Sequence, residues 1–161
     1  DRGRIAIVAD PQGALLALLE TKTGDPLDID EPEVGDFLWN ELWTSDVAKA
    51  TEFYQSIAPY QFKDHQADSA GGNPHYRVLS SHDKPRAGIV TNPVEGLIPV
   101  WVSYIRVKDD AALDSIVARV EELGGSLLLA PKDRPIGGRV ALIADPSGAG
   151  IAIQTWPKSQ L

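Results

Sequence analysis

Two stretches of the chain carry apolar residues at helical spacing, and a strand-like run precedes each of them. In the first stretch, residues 37–44 read as a strand, and the apolar positions within residues 50–57 recur at intervals of three and four. Asp46 stands between them, where its carboxylate can cap the first turn of a helix. The pattern predicts a strand followed by an amphipathic helix.

The second stretch repeats this order 63 residues later, counted from Asp46 to Asp109. Residues 100–107 read as the strand, and Asp109 or Asp110 is the capping candidate. An apolar stripe over residues 113–123 then stops at a pair of glycines, which commonly end helices. The chain is therefore predicted to contain the same strand–helix unit twice.

Three short strand candidates follow each predicted helix. Runs of this kind, bounded by turn residues, favour strands over loops. The resulting order is βαβββ, twice. We predict an α+β fold, in which two βαβββ modules form a cupped, mostly antiparallel sheet with helices on its outer face. The strand candidates are residues 61–65, 75–80 and 86–91 in the first module, and 126–130, 139–144 and 150–156 in the second.

Residues 3–14 return at residues 138–149, with eight identical residues at a constant offset of 135. Each copy holds Asp-Pro-x-Gly between two apolar runs, and this turn sequence joins the strands of a β-hairpin. An offset close to the length of a whole domain suggests two tandem copies of one domain. The chain is thus predicted to begin with an extra β-hairpin.

The repeat leads to a prediction of domain organisation. Residues 1–20 are interpreted as the terminal hairpin of a preceding sister domain. Residues 21–35 are rich in proline, glycine and acidic residues, a composition typical of a linker. Residues 36–158 form the complete domain, with modules at about 36–93 and 100–156.

Composition and charge narrow the possible functions. The 161 residues carry a formal net charge of −8, which argues against binding to nucleic acid or to an anionic membrane surface. The chain has no cysteine, so disulfides, thiolate metal sites and cysteine nucleophiles are excluded. The sequence also lacks a long apolar span, so no transmembrane helix is predicted. We expect a cytoplasmic location.

With these features in hand, the chain from about residue 36 to residue 156 resembles the vicinal oxygen chelate superfamily. That superfamily holds glyoxalase I, bleomycin and fosfomycin resistance proteins, and extradiol dioxygenases. The resemblance rests on four segments, of which the last is the most specific. They are Trp39-Asn40-Glu41-Leu42-Trp43-Thr44-Ser45-Asp46, Ala50-x-x-Phe53-Tyr54, Glu122-Leu123-Gly124-Gly125, and the stretch from Gly138-Arg139-Val140-Ala141 to Asp145-Pro146-Ser147-Gly148.

The resemblance implies a cavity in which enzymatic members hold a divalent metal through His and Glu side chains at four strand positions. Counted from Asp46, the first of these positions is Trp39, and its equivalent in the second module is Val102, or Ser103 in a neighbouring register. The last-strand position is Ala152, and residues 88–91 at the fourth offer no imidazole or carboxylate. We therefore expect no metal.

A relocated metal site is the alternative. Glu41 and His75 are its weak candidates, but zinc or iron sites use three or four ligands. Glu41 is also a weak candidate for a catalytic general base, because burial raises the pKa of a carboxylic acid.

Strand parity predicts which side chains share the cavity. Alternate residues of a strand point to the same face, and the family register places one set inward. Aromatic walls with a few polar groups are typical of small-molecule sites. The predicted ligand-binding residues are Trp39, Glu41, Trp43, His75, Tyr104, Arg106, Gln154 and Trp156.

Three functional hypotheses follow. The first is a metal-free domain that binds a small organic molecule in the aromatic cup. The second is a metal-dependent lyase, isomerase or dioxygenase whose ligands come partly from a missing domain or a partner subunit. The third is a structural domain with a filled cup that pairs with a sister domain. A homodimer or pairing with a sister domain is expected in each case, since the superfamily commonly builds cups across subunits.

Overall fold

A computed structural model of the chain contains ten strands and two helices in the residues that it describes. Those residues are 3–24, 27–65, 76–134 and 137–156. The elements are β1 (Arg4–Ala9), β2 (Leu15–Glu20), β3 (Phe37–Thr44), α1 (Val47–Ile57), β4 (Gln61–His65), β5 (Tyr76–Ser81), β6 (Lys84–Thr91), β7 (Val100–Val107), α2 (Asp110–Arg119), β8 (Ser126–Asp133), β9 (Arg139–Ala144) and β10 (Gly150–Thr155).

The chain divides into two compact units. The first comprises Asp1–Asp30 with Glu41–Trp101, and the second comprises Glu31–Asn40 with Val102–Leu161. Strand order in the first is β4-β5-β6-β3, and in the second it is β3-β7-β10-β9-β8, so β3 contributes to both. β3 pairs with β6, and β7 with β10, in parallel, while the other strand pairs described are antiparallel. The predicted α+β class, with a mostly antiparallel eight-stranded sheet, two helices and a separate hairpin, is confirmed.

Helix α1 begins where the sequence predicts. The Asp46 carboxylate accepts a hydrogen bond of 3.0 Å from the backbone N–H of Lys49 and thus caps the helix. Leu42 and Ile89, which are neighbours across β3 and β6, pack with Tyr54 and Ala50 of the helix in the core of the first unit. Leu42 therefore faces the helix, and Glu41, the preceding residue of β3, lies on the opposite face of the sheet.

Helix α2 is shorter than its apolar stripe predicts. Asp109 is the N-cap, and its carboxylate accepts a bond of 2.8 Å from the N–H of Ala112. The helix ends at Arg119, because the N–H of Val120 bonds three residues back to Val117 and the chain tightens into turns. Leu123 is consequently exposed instead of extending the buried face.

The two repeated segments fold into the same hairpin. In each, the aspartate of Asp-Pro-x-Gly accepts bonds from the backbone two and four residues later: Asp10 from Gln12 and Ala14 at 2.9 and 3.0 Å, and Asp145 from Ser147 and Ala149 at 2.8 and 2.9 Å. The repeat thus specifies local geometry as well as residue type.

The turn of the first hairpin is anchored to the first unit. The Gln12 side-chain amide donates to the carbonyl of Asp46 and accepts from its N–H, both at 2.8 Å. The Tyr54 hydroxyl donates to Asp10 at 3.3 Å, and burial raises the pKa of this phenol. Ala14 is buried in the same core. The hairpin therefore packs on the domain at its turn end.

Acid is expected to weaken the second turn through Asp145. Its pKa lies below the ordinary value of 3.8, chiefly because the charged carboxylate accepts bonds from the Ala149 N–H and the Ser147 hydroxyl. A carboxylate whose pKa is lower in the folded state stabilises the fold above its unfolded pKa and ceases to do so as the pH falls through the folded value. The free energy of unfolding, measured with urea between pH 5 and about 2.5, should show this loss. Asp145→Asn keeps an acceptor oxygen without the charge, so its free energy of unfolding should fall less over the same pH range. Glu122→Gln, an exposed carboxylate change, is the control and should follow the wild type.

No helix in residues 3–24, 27–65, 76–134 and 137–156 is long and apolar enough to cross a membrane.

Candidate functional site

Glu41 is a buried carboxylate on the face of the first unit opposite α1. Its side chain sits on β3 and only 3% of its surface is exposed. The Tyr76 hydroxyl donates to Oε1 at 2.8 Å, and the Trp43 indole N–H donates to Oε2 at 3.2 Å. Both carboxylate oxygens are thereby fixed in direction. Hydrogen bonds to the charged form are what make burial of a carboxylate tolerable.

Gly88 makes this arrangement possible. It is the cross-strand partner of Glu41 on β6, while Tyr76 lies on the next strand, β5. The phenol must cross β6 to reach Glu41, and it passes over Gly88. A Cβ atom at Gly88 would lie 2.3 Å from the Tyr76 hydroxyl oxygen, far inside contact distance. A glycine within a strand often marks such a close approach.

The second unit contains a separate polar cluster. The Arg134 guanidinium donates to the Gln154 side-chain oxygen at 2.8 Å and lies over the ring of Tyr104, with its central carbon 5.1 Å from the ring centroid. Gln154 and Tyr104 are almost fully buried, and β10 and β7 hold them in register. An arginine stacked on a tyrosine holds its guanidinium plane in a fixed orientation.

Arg106, also in the second unit, bonds to backbone. Its guanidinium donates to the carbonyl oxygen of Pro32 and, at 3.4 Å, to that of Trp156. Arg106 therefore ties residues ahead of β3 to the end of β10.

Each predicted site residue can now be located. Glu41 and Trp43 meet in the first unit, Tyr104 and Gln154 each contact Arg134 in the second, and Arg106 reaches the backbone of half-buried Trp156. Trp39 is half-buried, and His75 lies outside the described residues. Tyr76, Gly88 and Arg134 were missed. Gly88 inside a strand was the available signal for the first two, whereas Arg134 follows β8 and no strand parity applies to it.

The described residues do not fit the divalent metal that the resemblance implies. None of their His, Asp and Glu side chains form a group of three or more placed to hold an ion. Trp39, Val102 and Ala152, at the expected positions, have no ligand atoms. Glu41 has two carboxylate oxygens, but the Tyr76 hydroxyl donates to one of them and the Trp43 indole N–H to the other.

Comparisons with known proteins find relatives over most of the chain. No family model matches the sequence. The chain is 34% identical over 155 residues to the anthracycline biosynthesis protein DauV of Streptomyces sp. strain C5, in an alignment covering 94% of this chain and 52% of DauV. It is 32% identical over 118 residues to CFP32 of Mycobacterium tuberculosis, a provisionally assigned glyoxylase, covering 71% of this chain and 43% of CFP32. The chain thus spans about half the length of these curated relatives.

Solved structures agree in fold. The 2,3-dioxygenase LapB from Pseudomonas sp. KL28 superposes with a TM-score of 0.56, covering 96% of this chain and 59% of that one, at 14% sequence identity. At this level of identity the match concerns the arrangement of strands and helices.

Proposed function

This chain belongs to the vicinal oxygen chelate superfamily as a glyoxalase-like domain, and from that premise we propose that it binds a small organic molecule beside Glu41. The ligand contacts the face of the first unit opposite α1, where the half-buried Tyr76 supplies aromatic surface. The second-unit cluster of Tyr104, Arg134 and Gln154 is a further ligand-contact candidate of the domain.

The buried carboxylate carries this proposal. Transfer of a charged group out of water costs several kcal/mol unless it is paired and hydrogen-bonded. A domain that needed only a filled core would be at least as stable with an apolar residue at this position. Glu41 is instead oriented by two hydrogen-bond donors, and Gly88 leaves the space that one of them, the Tyr76 phenol, occupies. Such placement is typical of a group that accepts a hydrogen bond from a ligand.

The half-buried Tyr76 connects Glu41 to the surface. Its hydroxyl donates to Glu41. A ligand with adjacent oxygen atoms replaces the Tyr76 hydroxyl at Glu41 with a hydroxyl of its own and holds its second oxygen beside the displaced phenol. The names of the relatives, a glyoxylase and a protein of anthracycline biosynthesis, are consistent with oxygen-rich organic ligands.

Binding is expected for at least one compound with vicinal oxygens when catechol, acetoin and methylglyoxal are titrated into the protein. Isothermal calorimetry measures affinity, and tryptophan fluorescence reports on Trp43, whose indole touches Glu41. Glu41→Gln keeps the shape but removes the charge, so it should weaken binding roughly tenfold or more, the loss expected for one charge-assisted hydrogen bond.

The matched control is Glu52→Gln, the same change at an exposed position of α1, and it should bind like the wild type. EDTA should leave the affinity unchanged. Binding that disappears with EDTA and returns with Fe, Mn, Ni or Zn would favour the metal-dependent alternative. Equal affinity of the wild type and Glu41→Gln for the ligand would mean that the ligand does not bind beside Glu41.

The second candidate function is that of a structural domain whose cup is filled by its own side chains and which pairs with a sister domain. Trp43, Tyr104 and Gln154 each have less than 5% of their surface exposed, which favours a packing role for these three side chains. Absence of binding by all three compounds would support it.

A further inference from the structure

Arg106 carries a buried positive charge that no described carboxylate neutralises. It lies on β7, and only 6% of its surface is exposed. Its guanidinium donates to the backbone carbonyl oxygens of Pro32 and Trp156, and it forms no ion pair with any Asp or Glu in residues 3–24, 27–65, 76–134 and 137–156. Carbonyl oxygens accept hydrogen bonds but bring no negative charge. A charge held out of water in this way is costly until an opposite charge joins it.

Gln154 is the neighbour of Arg106 on the next strand. The parallel pairing of β7 with β10 sets the two residues opposite each other, so both side chains lie on the same face of the sheet in the second unit. That face is opposite α2, because Ile153, the residue before Gln154, packs with Leu113 of the helix. Gln154 is only 1% exposed. The sheet thus places two buried polar side chains next to each other.

The orientation of the Gln154 amide follows from its contact with Arg134. A guanidinium only donates, so the atom that accepts its bond of 2.8 Å is the oxygen Oε1 of Gln154. The amide nitrogen Nε2 is therefore directed away from Arg134. Within the described part of the chain neither this nitrogen nor Nε of Arg106 has an acceptor. Buried donors normally have acceptors, so this pair of donors indicates a partner that comes from elsewhere.

The two donors border on accessible side chains. Arg134, which bonds to Gln154, and Trp156, whose carbonyl accepts from Arg106, are both only half-buried. A ligand can therefore approach the donors from the side of these two residues. The low exposure of the donors themselves favours a small acceptor group at the end of a ligand.

We propose that Arg106 and Gln154 bind the carboxylate of a small organic ligand. One carboxylate oxygen accepts from Nε of Arg106 and the other from Nε2 of Gln154, so each donor gains an acceptor. A carboxylate carries one negative charge, which matches the one guanidinium that lacks an ion pair, whereas a phosphate dianion would bring a surplus. The site belongs to the proposed ligand contact of the second unit, and it does not depend on binding beside Glu41.

Titration of benzoate into isotope-labelled protein tests this site. Proton–nitrogen correlation spectra resolve the side-chain amides of glutamine and the Nε–H groups of arginine, so they report on the two donors directly. Benzoate should shift the Gln154 and Arg106 signals to saturation, with a dissociation constant on the order of 1 mM or lower. Benzamide, the uncharged counterpart of benzoate, and sodium chloride at equal ionic strength should leave both signals in place. The signals are assigned by their loss in Gln154→Glu and in Arg106→Lys.

Gln154→Glu keeps an oxygen for Arg134 but replaces the Nε2 donor with a second carboxylate oxygen. The added charge repels a carboxylate ligand, so the dissociation constant for benzoate, followed at the Arg106 signal, should rise roughly tenfold or more. Gln61→Glu, the same change at an exposed position of β4, is the matched control and should bind benzoate like the wild type.

The absence of saturable shifts up to about 20 mM benzoate would overturn the proposal, as would equal shifts with benzamide or chloride. Equal affinity of the wild type and Gln154→Glu for benzoate would overturn it too. Phosphate that shifts both signals where benzoate does not would contradict the assignment to a carboxylate. Catechol, acetoin and methylglyoxal are uncharged, so none of these results bears on their binding beside Glu41.

Discussion

Alanine in place of Gly138 is expected to lower the melting temperature by roughly 6–12 °C, corresponding to about 3 kcal/mol. Gly138 has φ of +75°, a left-handed conformation that costs an L-residue about 1–2 kcal/mol. Its added Cβ would also lie 1.9 Å from the carbonyl oxygen of Thr155. That oxygen is backbone of β10, in the middle of the second unit, so relief of the clash requires displacement of a core strand.

Gly3→Ala is the internal control for this prediction. Gly3 occupies the same place in the first hairpin, with φ of +99° and an added Cβ 2.0 Å from the carbonyl oxygen of Glu20. The local strain is the same, but β1 and β2 form a separate two-stranded sheet. Loss of their open end should shift the melting temperature by less than about 2 °C, as measured by circular dichroism. Equal shifts for Gly3→Ala and Gly138→Ala would show that the first hairpin is as integral to the fold as the second.

Features that depend on a few neighbouring residues were predictable from the sequence. The Asp-Pro-x-Gly turns and the caps at Asp46 and Asp109 follow from short-range hydrogen bonding. The placement of Glu41 and Trp43 on one face of β3 follows from strand alternation. These local rules, applied twice, sufficed to predict the βαβββ order.

Features that depend on strand register were not predictable. Tyr76 and Glu41 are 35 residues apart, and they meet only because β5, β6 and β3 align so that the phenol passes over Gly88. The alternation of side chains along β3 predicts which face Glu41 shares with Trp43, but it does not predict that Tyr76, two strands away, bonds to it. The end of α2 was likewise misjudged, because an apolar stripe continues through turns as readily as through a helix.

The β5–β6 turn illustrates a different limit. His82 and Asp83 have φ of 51° and 60°, so two residues that are not glycine occupy the left-handed region. This geometry matches the twist of a two-residue hairpin, but its usual sequence signal is Asn-Gly. The sequence alone indicates a loop here, and the strand pairing on either side determines its conformation.

The size of the effect of Gly88→Ala is expected to depend on Tyr76. In the wild type the new Cβ displaces the phenol from Glu41, which loses a hydrogen bond and remains buried, so stability should fall by about 1–3 kcal/mol. In a Tyr76→Ala background the obstructing ring is absent, and the tightest remaining contact of the new Cβ is the Glu41 Cγ at 3.2 Å. The higher strand propensity of alanine and this close contact oppose each other, so Gly88→Ala should then change stability by less than about 0.5 kcal/mol.

Urea unfolding of the four proteins in this double-mutant cycle gives the coupling energy between positions 76 and 88, expected at about 2 kcal/mol. Additive effects would mean that the ring moves aside at no cost, and that the hydrogen bond of 2.8 Å to Glu41 contributes little. A further variant separates the effect on stability from the effect on binding. Tyr76→Phe keeps the ring above Gly88 but removes the donor, so it should retain the packing while altering the affinity for a ligand beside Glu41. Gly88 leaves the space that the Tyr76 phenol occupies, so it links the packing of the sheet to the orientation of the Glu41 carboxylate.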